Sequence, residues 1–194
     1  MPLLEAIRQR LSSPGRSWPR LLGLSRPMPP VRGCYIWGDV GRGKSMLIDL
    51  LAESLVGSGV RRIHFHAFLR DMHAGIHAAQ QAGDRDPITS TIARFASGLR
   101  LLALDEMDVS DIGDAMIIDR VFRHLLDVGT VIVTTSNRPP EQLYRDGLKR
   151  ELFLPFIALL RERLDVIQIE SPKDWRRRDG ATRSVHFWPL TDKT

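Results

Sequence analysis

The chain has 194 residues, a net charge of +5, 43% hydrophobic residues and 26% charged residues. That balance suits one α/β domain with extensions, large enough to bury a core, and no apolar run approaches the roughly 18–20 residues that cross a bilayer. One cysteine, Cys34, excludes an intramolecular disulfide, acts as a small buried hydrophobe, and fits a reducing, cytoplasmic setting.

The charge is unevenly placed. Residues 1–33 hold six arginines against Glu5 alone, residues 173–194 hold six bases against three acids, and the stretch between is mildly acidic. Contact with nucleic acid or an anionic membrane surface would therefore use the ends, although solvated tails are the plainer reading. Three parts follow: a Pro/Arg-rich extension (1–33), a core (34–172) and a basic tail (173–194). The extension contains a short helix over Leu3 to Leu11 and packs weakly on the core or wraps it. Its Arg-rich, acid-poor composition also fits an organellar transit peptide, but Pro14, Pro19, Pro27, Pro29 and Pro30 interrupt any long amphipathic helix.

The core opens on a short apolar strand, Cys34 to Trp37. The loop Gly38-Asp39-Val40-Gly41-Arg42-Gly43-Lys44-Ser45 follows, with the spacing of a phosphate-binding P-loop. Strand, Gly-rich turn and helix in that order place backbone N–H groups and a helix N-terminus around an anion. Lys44 suits the β/γ-phosphates of ATP, and the Ser45 hydroxyl suits Mg2+. The next helix, Met46 to Val56, places Leu47, Leu50, Leu51 and Leu55 on one apolar side.

A second strand spans Arg62 to His66, a helix follows from about Ala67 to Gln81, and another from Ile88 to Ser97. His64 and His66 share a strand face, and His73 and His77 lie one helical turn apart. Zinc sites usually add cysteine or a nearby acid, so packing is preferred over a metal role. Strand three, Leu101 to Leu104, is continuously apolar, as a buried parallel strand is. It runs into Asp105-Glu106, where Asp105 suits Mg2+ and Glu106 suits polarising an attacking water. After a helix from Ile112 to Val128, strand four (Thr130 to Thr134) ends in Thr135-Ser136-Asn137. Asn137 suits holding that water opposite Glu106, with Thr135 or Ser136 as alternatives.

A helical region is expected from Pro139 to Arg163, then strand five from Asp165 to Ile169. Arg150 in that region suits a trans arginine finger reaching a neighbouring subunit, with Arg145, Arg161 and Arg163 as competitors. The whole reads as an α/β fold, a P-loop NTPase with a five-stranded, mostly parallel sheet flanked by helices.

These residues resemble the ZapE cell-division ATPases, an AAA+ group that includes mitochondrial relatives. The resemblance rests on Gly33 to Ser45, His64-Phe65-His66 with His73, and Asp105-Glu106 followed by Val109 to Met116. It continues through Thr135 to Pro140, Leu143 to Arg150, Phe153 to Ile157 and Asp174-Trp175-Arg176. It implies Mg-dependent ATP hydrolysis by an AAA+ module that forms a homo-oligomer, with Arg150 at the finger position. For bacterial members it implies association with FtsZ at the division ring, and for mitochondrial members a role in protein quality control.

Two departures stand out. Met107-Asp108 replaces aromatic residues, which points to an altered partner or pore-facing surface. Only 25 residues follow Ile169, so the lid over the nucleotide reads as truncated, with Arg176 to Arg178 a partial substitute and Val185 to Leu190 an added edge strand. Weaker nucleotide retention and poorer ring assembly than in a lid-bearing relative are expected. Two alternatives remain beside the ATPase: a nucleotide-gated binding module with little turnover, and a helicase-loader-like ATPase whose basic ends touch DNA.

Overall fold

The computed structural model describes residues 2–12, 32–55 and 59–169. The elements run α1 (Pro2–Ser12), β1 (Gly33–Trp37), α2 (Lys44–Glu53), β2 (Val60–His64), α3 (Phe65–Gln81) and α4 (Pro87–Ala96). Then come β3 (Leu101–Asp105), α5 (Ile112–Asp127), β4 (Val131–Ser136), α6 (Leu154–Arg163) and β5 (Leu164–Gln168). All four strand pairings are parallel, in the order β2-β3-β4-β1-β5.

β4 thus lies between β1 and β3, so the phosphate loop and the Asp105 strand are next-nearest neighbours rather than adjacent. The registers bring Trp37 level with Ser136, and His64 level with Asp105. The C-terminal strand ends therefore converge on one edge, where open α/β sheets bind ligands.

Alternation along each strand divides the core between the two sheet faces. Tyr35, Leu102, Leu104 and Ile132 meet α3, α5 and α6 through Phe68, Phe122, Phe156 and Leu160. Cys34, Ile36, Leu101, Ala103, Val131 and Val133 meet Ile48, Leu51 and Leu55 on the other face. Burial pushes the Cys34 thiol up to about 12, with Asp165 adding to the effect, so it stays an un-ionised hydrophobe.

Several boundaries move, each for a local reason. In α2 the buried row is Lys44, Ile48 and Leu51, continuing to Leu55, while Leu50 is exposed. The helix starts at Lys44, and the need to turn that residue into the loop sets its rotation. Strand two ends at His64, so Phe65 and His66 belong to α3 and the expected shared strand face of His64 and His66 does not exist. β4 extends to Ser136.

Between 139 and 153 the expected continuous helix is replaced by two 3-10 turns, Pro140–Gln142 and Arg150–Leu152, with left-handed Tyr144 and Lys149 between and beside them. α1 does not pack weakly: Ile7 and Leu11, one helical turn apart, are buried in the core on the α2 face. The expectations for Val185 to Leu190, Arg176 to Arg178 and Asp174-Trp175-Arg176 lie outside the described residues. No helix among the described residues is long and apolar enough to cross a membrane.

Candidate active site

The loop Gly38 to Gly43 leaves β1 at the convergent edge. Gly38 donates its N–H to Ser136 O (3.3 Å), and a Cβ there would collide with the Ile169 carbonyl where β5 ends. Gly43, at φ 81, is the left-handed residue that turns the chain into α2. α2 has no side-chain cap and no acid of its own in its first turn, so its first N–H groups are left for the loop side.

Lys44 is buried, and its ammonium folds over the loop. Nζ donates to Gly38 O (2.6 Å), Asp39 O (2.9 Å) and Asn137 Oδ1 (2.9 Å). Asn137 therefore meets the lysine, which the sequence reading did not foresee. Arg42 reaches its own loop's Asp39 at 3.4 Å, and Val40 is exposed.

Asp105 is fully buried and its two oxygens have different company. Oδ1 accepts from Ser45 Oγ (3.2 Å) and Thr135 Oγ1 (2.5 Å), and Oδ2 accepts from Arg62 Nη2 (3.0 Å). His64 Nδ1 stands 3.7 Å from Oδ2. Thr135 Oγ1 donates to Asp105 and accepts the Glu106 N–H (2.9 Å), while Met107 N–H donates to Thr135 O (2.7 Å).

Those bonds hold Glu106 at φ 59, a left-handed backbone that a non-glycine residue adopts only under external constraint, and leave its carboxylate exposed. Ser136 extends the stitching by donating to Met107 O (2.8 Å). Thr135 and Ser136, alternatives to Asn137 for the water, thus brace the Asp105–Met107 turn. Met107 is itself 1% exposed and packs in the core, whereas Asp108 beside it is exposed.

Arg150 stands apart from this cluster. Its guanidinium donates to Leu143 O (3.1 Å) and Glu141 O (2.5 Å), bracing the loop that precedes it. In the same loop Tyr144 Oη donates to Leu148 O (2.9 Å), and the Tyr144 ring lies directly over Gly147. We expect Gly147→Ala to displace that ring and cost about 1–3 kcal/mol, as overpacking does, read as a shift in the urea midpoint. Among the competitors, Arg161 pairs with Glu141 at 3.1 Å, Arg163 lies 3.9 Å from Asp127, and Arg145 is exposed.

His73 and His77 are exposed and make local hydrogen bonds. His73 pairs with Asp114 across α3 and α5 (2.8 Å), and His77 meets Gln81 (3.0 Å). Asp111 caps α5 through the N–H groups of Gly113 and Asp114, which gives a structural reason for the Asp-Ile-x-Asp-Ala stretch.

Sequence reasoning missed Arg62 and Asp49. Arg62 Nε donates to Asp49 Oδ1 (2.8 Å) while Nη2 holds Asp105. The signal was present as a charged residue on β2 two positions before His64; the register pairs Arg62 with Ala103 and His64 with Asp105, and only the folded side chain, crossing diagonally to Oδ2, shows that it meets Asp105.

The sequence profile of the AFG1-like ATPases matches residues 3–194. The chain belongs to the AFG1-like ATPase family. Among AFG1-like and related curated sequences, it is 42% identical over 167 residues to the cell division protein ZapE of Escherichia coli K12, covering 85% of this chain and 44% of that protein. It is 40% identical over 164 residues to lactation elevated protein 1 homolog B of Danio rerio, covering 80% of this chain and 32% of that one. The chain thus spans less than half the length of these relatives.

In three dimensions it resembles domain III of the Thermotoga maritima replication initiation protein DnaA. The TM-score is 0.59 at 20% identity, covering 88% of this chain and 62% of the other. That likeness shows the same parallel α/β fold for this AFG1-like chain.

Proposed function

We propose that this chain binds ATP with Mg2+ at the Gly38–Ser45 loop and hydrolyses it. The observation that carries the proposal is the hydrogen bond from Ser45 to the buried Asp105, made where Lys44 closes the same loop. A hydroxyl and a carboxylate 3.2 Å apart are the hard-oxygen donors that Mg2+ takes, so the residues fit the ion. Ser45 and Asp105 would hold the ion, which would supply positive charge against the negative charge of the phosphates.

The protein groups divide the remaining work. The loop N–H groups and the α2 N-terminus hold the phosphates, and Lys44 exchanges backbone carbonyls for phosphate oxygens. Glu106, exposed at a rigidly held turn, takes the proton of the attacking water. Asn137 both steadies Lys44 and is within the same strand-end cluster to orient that water. For Arg150 to serve a neighbouring subunit, it must release the carbonyls of Glu141 and Leu143. Leu148, Leu152 and Leu154 are exposed around it, which supports a second copy of this chain as the group it meets.

Kinship with a protein named for cell division supports a role there, in the cytoplasm, with hydrolysis coupled to remodelling a protein partner. FtsZ is the partner proposed. Co-sedimentation with FtsZ polymers in ATP but not ADP is the expected result, and no co-sedimentation under either condition removes FtsZ. The hydrolysis itself is tested by phosphate release from the wild type, Lys44→Ala and Glu106→Gln. Equal background rates in all three would refute it.

A further inference from the structure

Asp105 is a fully buried carboxylate, and burying an isolated charge is costly unless a counter-charge accompanies it. Its Oδ1 meets two neutral hydroxyls, so the counter-charge comes from Arg62 at Oδ2 (3.0 Å). The same guanidinium holds Asp49 Oδ1 at 2.8 Å. Asp49 lies one helical turn after Ser45 on α2, so Ser45, Asp49 and Asp105 supply oxygen donors around one arginine.

We propose that Arg62 is a resident cation that keeps the nucleotide-free site from taking a bare divalent ion. The metal then enters only with the extra negative charge of the nucleotide phosphates. This inference rests on the proposed metal–nucleotide reading of the site.

The charges explain why. Two carboxylates and one guanidinium leave the cluster at −1, a weak attraction for a divalent ion that must also face a fixed positive charge. Without Arg62 the cluster stands at −2 and two carboxylates lose their shared donor, which is the chemistry that hard cations seek. The planar fork of the guanidinium lets one side chain span both carboxylates. The tether to Asp49 also keeps the guanidinium beside Asp105 instead of swinging to solvent.

The test is Mn2+ binding to the nucleotide-free protein, read from the electron-spin signal of free Mn2+. Removing one positive charge at this distance is expected to tighten binding about tenfold or more in R62Q relative to the wild type. The double variant R62Q/D49N should lose that gain, and D49N alone should bind no more tightly than the wild type. R62K, which keeps the charge, should stay near the wild-type value.

R62Q binding no more tightly than the wild type overturns the proposal, as does parallel weakening in R62Q and D49N, the pattern of a purely structural support. Should R62Q fail to fold, D49N and R62K decide: tighter bare Mn2+ binding in either one sinks the idea, and its absence in both supports it. The measurement uses no nucleotide, so it fails independently of the ATPase reading. That reading fails instead if the wild type and Lys44→Ala bind Mg-ATP equally poorly.

Discussion

Lys44→Ala is expected to weaken ATP binding by about 100-fold or more and to bring phosphate release to background. The magnitude follows from losing a charge-assisted contact to phosphate, about 1.5–3 kcal/mol, together with the loop order that the ammonium maintains. Lys44 ties Gly38, Asp39 and Asn137 together, so the substitution also strips donors from three acceptors. Part of any loss could then be structural.

Lys44→Arg separates the two causes. It keeps the charge but not the compact ammonium that fits between Gly38 O and Asn137, so it should fold yet bind ATP poorly. Thermal melts of all three proteins with fluorescent-nucleotide titrations make the comparison. Wild-type affinity in Lys44→Ala would show that the loop does not hold phosphate.

Glu106→Gln should leave ATP affinity within a few-fold of wild type and lower single-turnover phosphate release by about 10²–10⁴. The separation of binding from chemistry rests on where Glu106 is held. Its backbone is fixed through Thr135, and that bond does not depend on the side chain. The carboxylate itself is exposed, so exchanging it for an amide removes a base without opening a cavity. Glu106→Asp is a useful companion, because a shortened carboxylate keeps the base but misplaces it. A rate unchanged in Glu106→Gln would remove Glu106 from the reaction and return attention to Asp105 and its hydroxyl partners.

Thr135 illustrates how the site's support differs from its reacting groups. One hydroxyl gives its proton to Asp105 and accepts one from the Glu106 backbone, so it couples the candidate metal ligand to the candidate base. Arg150 illustrates the reverse case. It is proposed to serve a neighbour's nucleotide, yet within the single chain it braces its own loop. Both roles are compatible only if assembly supplies enough contact to replace two carbonyl hydrogen bonds.

What the sequence by itself determined is the local grammar. Spacing in Gly38 to Ser45 and apolar runs ending in Asp105 and Asn137 are each written within a few neighbouring residues. Each imposes a backbone geometry there: left-handed glycine turns and buried parallel strands. Helix rotation and the irregular loop at 143–149 were less legible, because apolar residues alone do not say which side a P-loop turns toward the sheet. The residues at 144 and 149 also take left-handed conformations that their identities do not advertise.

The tertiary structure alone decided the rest. Strand order inserted β4 between β1 and β3, which delivered Asn137 to Lys44 and Thr135 to Asp105. Arg62, level with Ala103 in the β2–β3 register, reached diagonally to Asp105 through its guanidinium, and α1 found its place through Ile7 and Leu11. These pairings join residues far apart in the chain, and a hydrogen bond or ion pair across such a separation leaves no periodic trace in the sequence.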